Sequence, residues 1–418
     1  MSLPKSKNPP KIAIVGQGYV GLPLAQAFVE NGVEVIAVES NPDIVQKINS
    51  RKSHIEGITS DILNDMFESE NYRIQGNADS ISECEGVIVC VPTPLNKEGK
   101  PDLTILENAI KSVAPYLQPN SILISESTSF PGTLRNVIQP IVLSHNPKGA
   151  EIHLAAAPER VDPGNKIWNQ KNTPRLISGL TEEAKQKALE IYSFIAENPI
   201  AVSSPEIAES AKLLENSFRL LNIAFINEFS QSMTKLGINA LEVIDAAATK
   251  PYGFMKFTPG LGAGGHCIPV DPVYLAQFLE SKSVSHPLLR QAIKFNEETF
   301  QFMVNRVKSI GNQPKSILVV GLSYKEGIND LRESPAIRVL NELRETYEVS
   351  FYDDEIIRIQ GLERAKDVGG YDLVLMLVNQ PKLDIEDLIE RNNVVWNCTG
   401  TRLNNPKIVE VFDGQNCE

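Results

Sequence analysis

The sequence predicts an α/β protein made of two doubly wound parallel-sheet domains joined by a long central helix. Three stretches carry that expectation. Residues 11–38 read as strand, glycine turn, helix and strand; residues 203–236 run without a helix breaker; and residues 315–400 restart the strand–turn–helix pattern. The expected division is 1–202 for the first α/β domain, 203–309 for a helical middle and 310–418 for the second α/β domain.

In the first stretch KIAIV is a short apolar run, GQGYVG supplies Gly16, Gly18 and Gly21, and LPLAQAFVENG has helical periodicity. VEVIAV follows as a second strand, and Glu39 stands 18 residues past Gly21. A lone G-x-G-x-x-G is a weak signal, but strand before, helix after and an acid at this spacing make the Rossmann dinucleotide-binding fingerprint. A carboxylate at Glu39 hydrogen-bonds ribose hydroxyls and repels a 2′-phosphate. Ser40 and Asn41 bring no compensating cation, so NAD is expected over NADP.

A polar helical stretch is expected up to about Asn77. Three later apolar runs then end in polar residues. GVIVCVPTP ends in Pro92-Thr93-Pro94, SILISESTSFPGT in Glu126, Ser127, Thr128 and the turn Pro131-Gly132, and HLAAAPER in Glu159 and Arg160. Such residues are often only helix caps. Three of them around one fingerprint, at the carboxyl ends of strands where open α/β sheets bind ligands, mark a site rim.

Ser203-Ser204-Pro205-Glu206 reads as a helix start, with Gly237 as the first breaker. The intervening ~32 residues span about 48 Å at roughly 1.5 Å each. The middle, LLNIAFINEF, is apolar nearly all round, which suggests burial on several sides and a homodimer interface. Lys212 and Asn216 lie at i and i+4 on one face, with Arg219 nearby; the alternative is an ordinary solvated stripe.

FTPGLGAGGHCIPVDP (Phe257–Pro272) holds Gly260, Gly262, Gly264 and Gly265 ahead of one cysteine, Cys267. Glycines allow positive φ and close approach of backbone amides to a phosphate or sugar. Asp271-Pro272 reads as an N-cap followed by proline at the first helical position. A thiol just ahead of a helix N-terminus is biased towards thiolate. The alternative is an inert buried cysteine beside a tight turn. From Lys315 onward KSILVVGLSYKEGINDLRESP opens the second α/β domain, in which Gly321 stands without the full fingerprint. Lys325 and Arg332 in its first loop suit an anion other than NAD.

A net charge of −12 argues against nucleic acid as the main partner. Five cysteines, odd in number and without metal-ligand spacing, point to a reducing compartment with neither disulfide framework nor metal site. The N-terminus lacks an apolar signal core and no run approaches the ~20 residues of a membrane span, so a cytoplasmic protein is expected.

The assembled motifs VPTP, ST followed by PGT, PER, KLLENSFR, GAGGHCIPVDP and GLSYKEGINDLRESP, with Gly400-Thr401-Arg402 behind them, resemble the nucleotide-diphosphate-sugar 6-dehydrogenases over nearly the whole chain. These are the UDP-glucose/GDP-mannose dehydrogenases. The resemblance implies an NAD domain, a central helix used in dimerisation and a C-terminal UDP-binding domain. It implies Cys267 as nucleophile, Lys212, Asn216 and Asp271 as its polar companions, and Glu159 and Thr128 near the reacting carbon. NAD contacts are implied for Gly16, Gln17, Gly18, Tyr19, Val20, Gly21, Glu39, Pro92, Thr93, Ser127, Thr128 and Arg332. UDP-sugar contacts are implied for Glu159, Arg160, Lys212, Asn216, Arg219, Phe257, Gly260, Gly262, Gly264 and Lys325.

The implied reaction is four-electron oxidation of a sugar C6 hydroxyl to the acid, through a cysteine thiohemiacetal and thioester, in surface polysaccharide biosynthesis. Glu159 is followed by RVDPG, so Pro163 stands where the UDP-glucose and GDP-mannose branches carry a second glutamate. PER with RVDPG resembles the UDP-N-acetylhexosamine branch. HIEGITSD and VPTPL with PDL lean towards UDP-GlcNAc, with UDP-ManNAc and UDP-glucose as alternatives.

Overall fold

Short runs, most of them rich in β-branched and aliphatic residues, become the strands of two largely parallel sheets. The structure, a computed structural model, describes residues 9–55, 57–146, 152–161, 167–403 and 405–414. Pro163 and Cys417 lie outside the described residues. The chain divides into two compact units, 1–215 and 216–418.

In the first unit β1 (Lys11–Val15), β2 (Glu34–Val38), β3 (Tyr72–Gln75), β4 (Gly86–Val89), β5 (Ile122–Ser125), β6 (His153–Ala156), β7 (Arg175–Gly179) and β8 (Pro199–Ala201) form one sheet, ordered β3-β2-β1-β4-β5-β6-β7-β8. Between them run α1 (Gly21–Glu30), α2 (Pro42–Asn49), α3 (Ser60–Glu68), α4 (Thr104–Val113), α5 (Gln139–His145) and α6 (Glu182–Tyr192). Every strand pair is parallel except β6 with β7, which is antiparallel. The register is level at the carboxyl edge, where Val15 pairs with both Val38 and Val89, and Val89 with Ser125. The first residues past β1, β2, β4 and β5 (Gly16, Glu39, Cys90 and Glu126) therefore stand side by side.

The polar stretch before Asn77, expected as helix throughout, ends in strand β3. Tyr72-Arg73-Ile74-Gln75 alternates buried and exposed as an edge strand does. Four residues are too few for that period to stand out in the sequence.

Helix α7 (Pro205–Lys235) has 31 residues, about 46 Å at roughly 1.5 Å per residue. Leu213, Leu220, Ala224 and Ile226 are buried, yet Ile207, Leu214, Phe218 and Phe225 are 47%, 65%, 48% and 63% exposed. Those four recur at the helical repeat along one strip. The middle is thus buried along one side and shows an apolar strip on another, not burial all round.

In the second unit β9 (Ser316–Val320), β10 (Glu348–Tyr352), β13 (Leu373–Met376), β14 (Val395–Asn397) and β15 (Ile408–Glu410) form a parallel sheet ordered β10-β9-β13-β14-β15. β11 (Arg358–Ile359) and β12 (Leu362–Glu363) make a small antiparallel hairpin. Ile317, Val319, Phe351 and Leu375 face one core, and Leu318, Val320, Val374 and Met376 the other, as a parallel sheet covered on both faces requires. The helices are α8 (Ala240–Ala248), α9 (Asp271–Ser281), α10 (Pro287–Glu298), α11 (Phe300–Lys308), α12 (Pro335–Arg344) and α13 (Ile385–Arg391). Leu241, Leu261, Met303 and Val307 join the core of this sheet. From Asn216 on, the middle segment belongs to the same compact unit as the C-terminal sheet. No helix among the described residues is long and apolar enough to cross a membrane.

Candidate active site

The turn after β1 has the geometry of a dinucleotide cradle. Gly16 has φ +89°, and a Cβ there would lie 2.7 Å from the Cys90 carbonyl oxygen. A Cβ on Gly21 would lie 1.8 Å from the Gly16 oxygen, whereas one on Gly18 would meet nothing within 4 Å. Two glycines are thus forced by packing, and the third leaves open the face that a pyrophosphate approaches.

Gln17 lies buried within the turn. Its side chain is buried, donates to the carbonyls of Ile14 (3.0 Å) and Gly16 (3.1 Å), and accepts from the Tyr72 hydroxyl at 3.3 Å. Its backbone amide donates to Glu39 Oε2 at 2.9 Å, and the Asn41 amide donates to Oε1 at 2.9 Å. Gln17 therefore shapes the loop and fixes Glu39, while Glu39 stands half-buried at the end of β2. His54, missed by the sequence reading, lies beside Gln17 and Glu39, and burial pushes its imidazole pKa down. A neutral ring offers no charge to a 2′-phosphate. The residues fit NAD, and Glu39→Ala is expected to narrow the gap between NAD and NADP in kcat/KM; comparable values for the unaltered enzyme would contradict the assignment.

At the ends of β4 and β5 the Ser127 hydroxyl donates to the Val91 carbonyl at 2.8 Å and accepts from the Val91 amide at 3.0 Å. It ties the two strand ends together, leaving Thr128, half-buried, as the exposed member of the pair. Glu126 is not on the rim. It is 1% exposed, and Arg175, 3% exposed, bridges it to Glu159. Arg175 Nη1 donates to Glu126 Oε1 at 2.8 Å and Nη2 to Glu159 Oε2 at 2.9 Å. Removing one member of such a buried ion pair costs about 3–5 kcal/mol.

Glu159 Oε1 also accepts from the amides of Arg160 (2.7 Å) and Val161 (2.5 Å). Burial would raise the Glu159 pKa, but Arg175, the Val161 amide and nearby Lys212 outweigh it and hold the carboxyl at about 2. Burial pushes Glu126 up to about 7. The Arg160 guanidinium is committed to Glu215, at 3.0 Å from Nε and 2.5 Å from Nη2, and to the Pro174 carbonyl at 2.9 Å. It braces the loop after β6 to α7.

Glu209, one turn before Lys212 on α7, was also missed. It is 4% exposed and accepts from the amides of Gly132 (2.6 Å) and Leu134 (2.9 Å). It caps the turn that follows Thr128, so the helix carrying Lys212 also holds the threonine loop. Burial lifts its pKa to about 7 against those amides.

In the second unit the glycine–cysteine loop precedes α9. Cys267 is half-buried, and its carbonyl accepts from the amides of Val270 (3.2 Å) and Asp271 (2.9 Å), so helical bonding begins at the cysteine. Asp271 is the first residue of α9 and not its cap. Val270 holds the cap position without a side-chain bond, and the Asp271 carboxylate instead accepts from Asn216 Nδ2 at 2.5 Å. The His266 ring, another residue missed earlier, has Nδ1 at 3.5 Å from Cys267 Sγ. Asn227, within the run read as apolar, is 1% exposed and accepts from the Gly260 amide at 2.8 Å.

Gly264 and Gly265 pack on the Tyr324 side chain, where added Cβ atoms would come within 2.7 Å and 2.9 Å. A Cβ on Gly400 would lie 2.0 Å from the Pro259 oxygen. These contacts frame a cavity of about 240 Å³ lined by Gly260, Gly262, Tyr324, Asn379, Thr399 and Thr401 among others. Lys325 is exposed and Phe257 half-buried at this loop, Arg219 is exposed on α7, and Arg332 is ion-paired with Asp330 at 2.6 Å.

The second sheet cannot repeat the first one's nucleotide mode. Asp353, topologically equivalent to Glu39, is 1% exposed and accepts from the amides of Leu322, Ser323, Glu355 and Ile356. α12 begins 14 residues after Gly321, so no helix N-terminus opens directly behind that glycine.

Residues 10–196 match the NAD binding domain, 206–298 the central domain and 318–399 the UDP binding domain of the UDP-glucose/GDP-mannose dehydrogenase family. The UDP-N-acetyl-D-mannosamine dehydrogenase of Methanocaldococcus jannaschii is 33% identical over 393 residues, 90% of this chain and 88% of that protein. The NDP-N-acetyl-D-galactosaminuronic acid dehydrogenase of Ralstonia solanacearum is 33% identical over 342 residues, 79% of each. The solved structure of the UDP-D-ManNAc dehydrogenase from Pyrococcus horikoshii superposes with a TM-score of 0.86 at 30% identity, covering 96% of this chain and 98% of that one. With a dinucleotide cradle, a cysteine at a helix start and a glycine-framed cavity in the same chain, the protein belongs to the UDP-glucose/GDP-mannose dehydrogenase family and is an NAD-dependent UDP-sugar dehydrogenase.

Proposed function

We propose that the chain oxidises the C6 hydroxyl of a UDP-N-acetylhexosamine to the uronic acid, as a step towards surface polysaccharide. The observation that carries this is Cys267 at the head of α9, with Asp271 of the same turn held by Asn216. An alcohol-to-aldehyde dehydrogenase needs no nucleophile; an alcohol-to-acid dehydrogenase does. Bound at Gly16 to Gly21 and Glu39, the nicotinamide cofactor supplies the hydride acceptor for both oxidations.

The Cys267 thiolate adds to the C6 aldehyde, forming the C–S bond of a thiohemiacetal. Lys212 and Asn216 serve as donors to its oxyanion. Loss of the second hydride leaves C6 as a thioester. Water then adds, the C–S bond breaks, and carboxylate and thiol are released. The UDP moiety is assigned to the cavity at Gly260, Gly262 and Thr399.

UDP-GlcNAc is the first substrate to test, on the HIEGITSD and VPTPL signatures. UDP-ManNAc is the second reading, favoured by the names of several relatives. NADH release measured across UDP-GlcNAc, UDP-ManNAc, UDP-GalNAc and UDP-glucose decides between them. Two NADH per sugar are expected with the preferred N-acetylhexosamine; a preference for UDP-glucose would reject the branch assignment.

The exposed strip Ile207, Leu214, Phe218 and Phe225 supports a homodimer that pairs through α7. Sedimentation at micromolar concentration is expected to show a dimer, and Phe225→Glu to shift it to monomer. A monomeric unaltered chain would contradict the proposal.

A further inference from the structure

β6 and β7 are the antiparallel pair of the first sheet, Ala155 pairing with Gly179 and Ala156 with Ser178, so β7, with β8 parallel to it, runs against the other six strands. Its reversed direction carries its first residue, Arg175, to the carboxyl edge, beside the residues that follow β5 and β6. There Arg175 is 3% exposed, with its guanidinium carbon 4.8 Å from the centre of the Tyr192 ring. It donates to Glu126 on one side and to Glu159 and the Gln170 side-chain oxygen on the other. With Gln170 Nε2 at 3.3 Å and the two backbone amides of its own turn, Glu159 has four donors around its two oxygens among the described residues.

We propose that Arg175 is a positioning residue of the oxidation: anchored on Glu126, it holds the Glu159 carboxylate ionised and in one orientation, so that Glu159 acts as a fixed acceptor and not as a proton carrier. A carboxylate held this way orients a water or a substrate hydroxyl and keeps a constant negative charge opposite Lys212. Among the described residues, the titratable groups around the pair are Cys90 and Glu126 from the ends of β4 and β5, Tyr192 from α6 and Lys212 from α7. Burial raises the pKa of Cys90 and Tyr192 well above their ordinary values, so neither adds charge near neutral pH. Glu126 sits at the far side of the guanidinium, where its protonation leaves the hydrogen bonds to Glu159 in place.

The inference rests on the assignment of Glu159 to the active site, and its test is independent of which sugar is preferred. Arg175→Met, Arg175→Lys, Glu159→Gln and Glu159→Gln/Arg175→Met are compared in the full-length chain on whichever UDP-sugar the unaltered enzyme oxidises fastest. Arg175→Met is expected to lower kcat about 10²-fold, with KM for sugar and NAD within about twofold. Its kcat–pH profile gains an acid limb in the ordinary carboxylate range that the unaltered enzyme lacks. On the Glu159→Gln background the same change is expected to alter kcat by less than about twofold, because the two residues act as one unit.

Should Arg175→Met fail to fold, Arg175→Lys and the double variant, which leaves no unpaired charge at Glu159, carry the comparison. Equal losses on both backgrounds, or a loss with no new acid limb, would overturn the proposal and leave Arg175 a structural ion pair. No loss of activity in Glu159→Gln would instead remove Glu159 from the active site, an outcome separate from the failure of Arg175.

Discussion

Cys267→Ser is expected to lower overall turnover by several orders of magnitude while leaving the affinities for UDP-sugar and NAD nearly unchanged. The local structure supports the separation. Cys267 contributes its carbonyl to the start of α9, a bond that serine keeps, and the glycine contacts with Tyr324 and Pro259 do not involve the thiol. The serine hydroxyl is not ionised near neutral pH, and an ester is a poorer acyl intermediate than a thioester. An acyl-enzyme is therefore expected to build up on the serine and to appear by mass spectrometry as the added mass of one sugar nucleotide. A variant that still formed two NADH per sugar at the normal rate would refute the covalent route, and Cys267 would be a packing residue.

The fold was legible wherever a strand met a glycine turn and a helix at fixed spacing. The fingerprint, the central helix from Pro205 to Lys235 and the restart at β9 were all of that kind. What escaped were elements whose sequence signal is short or whose role depends on direction. β3 is four residues long, and β7 is recognisable as antiparallel only from its partner. That reversal is why Arg175, distant from any motif, reaches Glu159. Glu209, Asn227 and His266 escaped for a related reason. Glu209 and Asn227 are polar helix residues that read as ordinary until the distant backbone amides they meet, at Gly132, Leu134 and Gly260, are known, while His266 is the sequence neighbour of the thiol its ring approaches. Glu126 was misplaced in the opposite sense, because a polar residue past a strand looks the same in sequence whether it faces solvent or a buried arginine.

At Glu159 residue type and environment pull in different directions. A glutamate beside a reaction centre suggests a general base, which works best with a pKa near the working pH. Arg175 and the turn amides hold this one at about 2. A carboxyl depressed in this way contributes stability above its unfolded-state pKa, and that contribution is lost as pH falls from near 4.5 towards 2. Glu126 and Glu209, raised from near 4.5 to about 7, act with the opposite sign: between those values the unfolded chain has lost their protons and the folded chain keeps them, so stability falls as pH rises through that window.

Lys212→Ala is expected to reduce kcat by roughly 10²- to 10³-fold, the usual loss on removing one oxyanion donor. The substitution is well suited to isolate the donor. Alanine is the best helix former, so α7 keeps its course. Glu209, one turn earlier, goes on capping the turn at Gly132 and Leu134, so the Thr128 loop keeps its position. Arg175 and the turn amides keep Glu159 ionised without the lysine. The effect should therefore fall on steps in which negative charge develops at the C6 oxygen, with KM for the UDP-sugar changed by only a few-fold. Single-turnover measurement of NADH formation, with both the alcohol and the aldehyde of the preferred UDP-sugar, distinguishes that loss from slow product release. A kcat within about fivefold of the unaltered enzyme would remove Lys212 from the chemistry, since a lost oxyanion donor cannot be that mild.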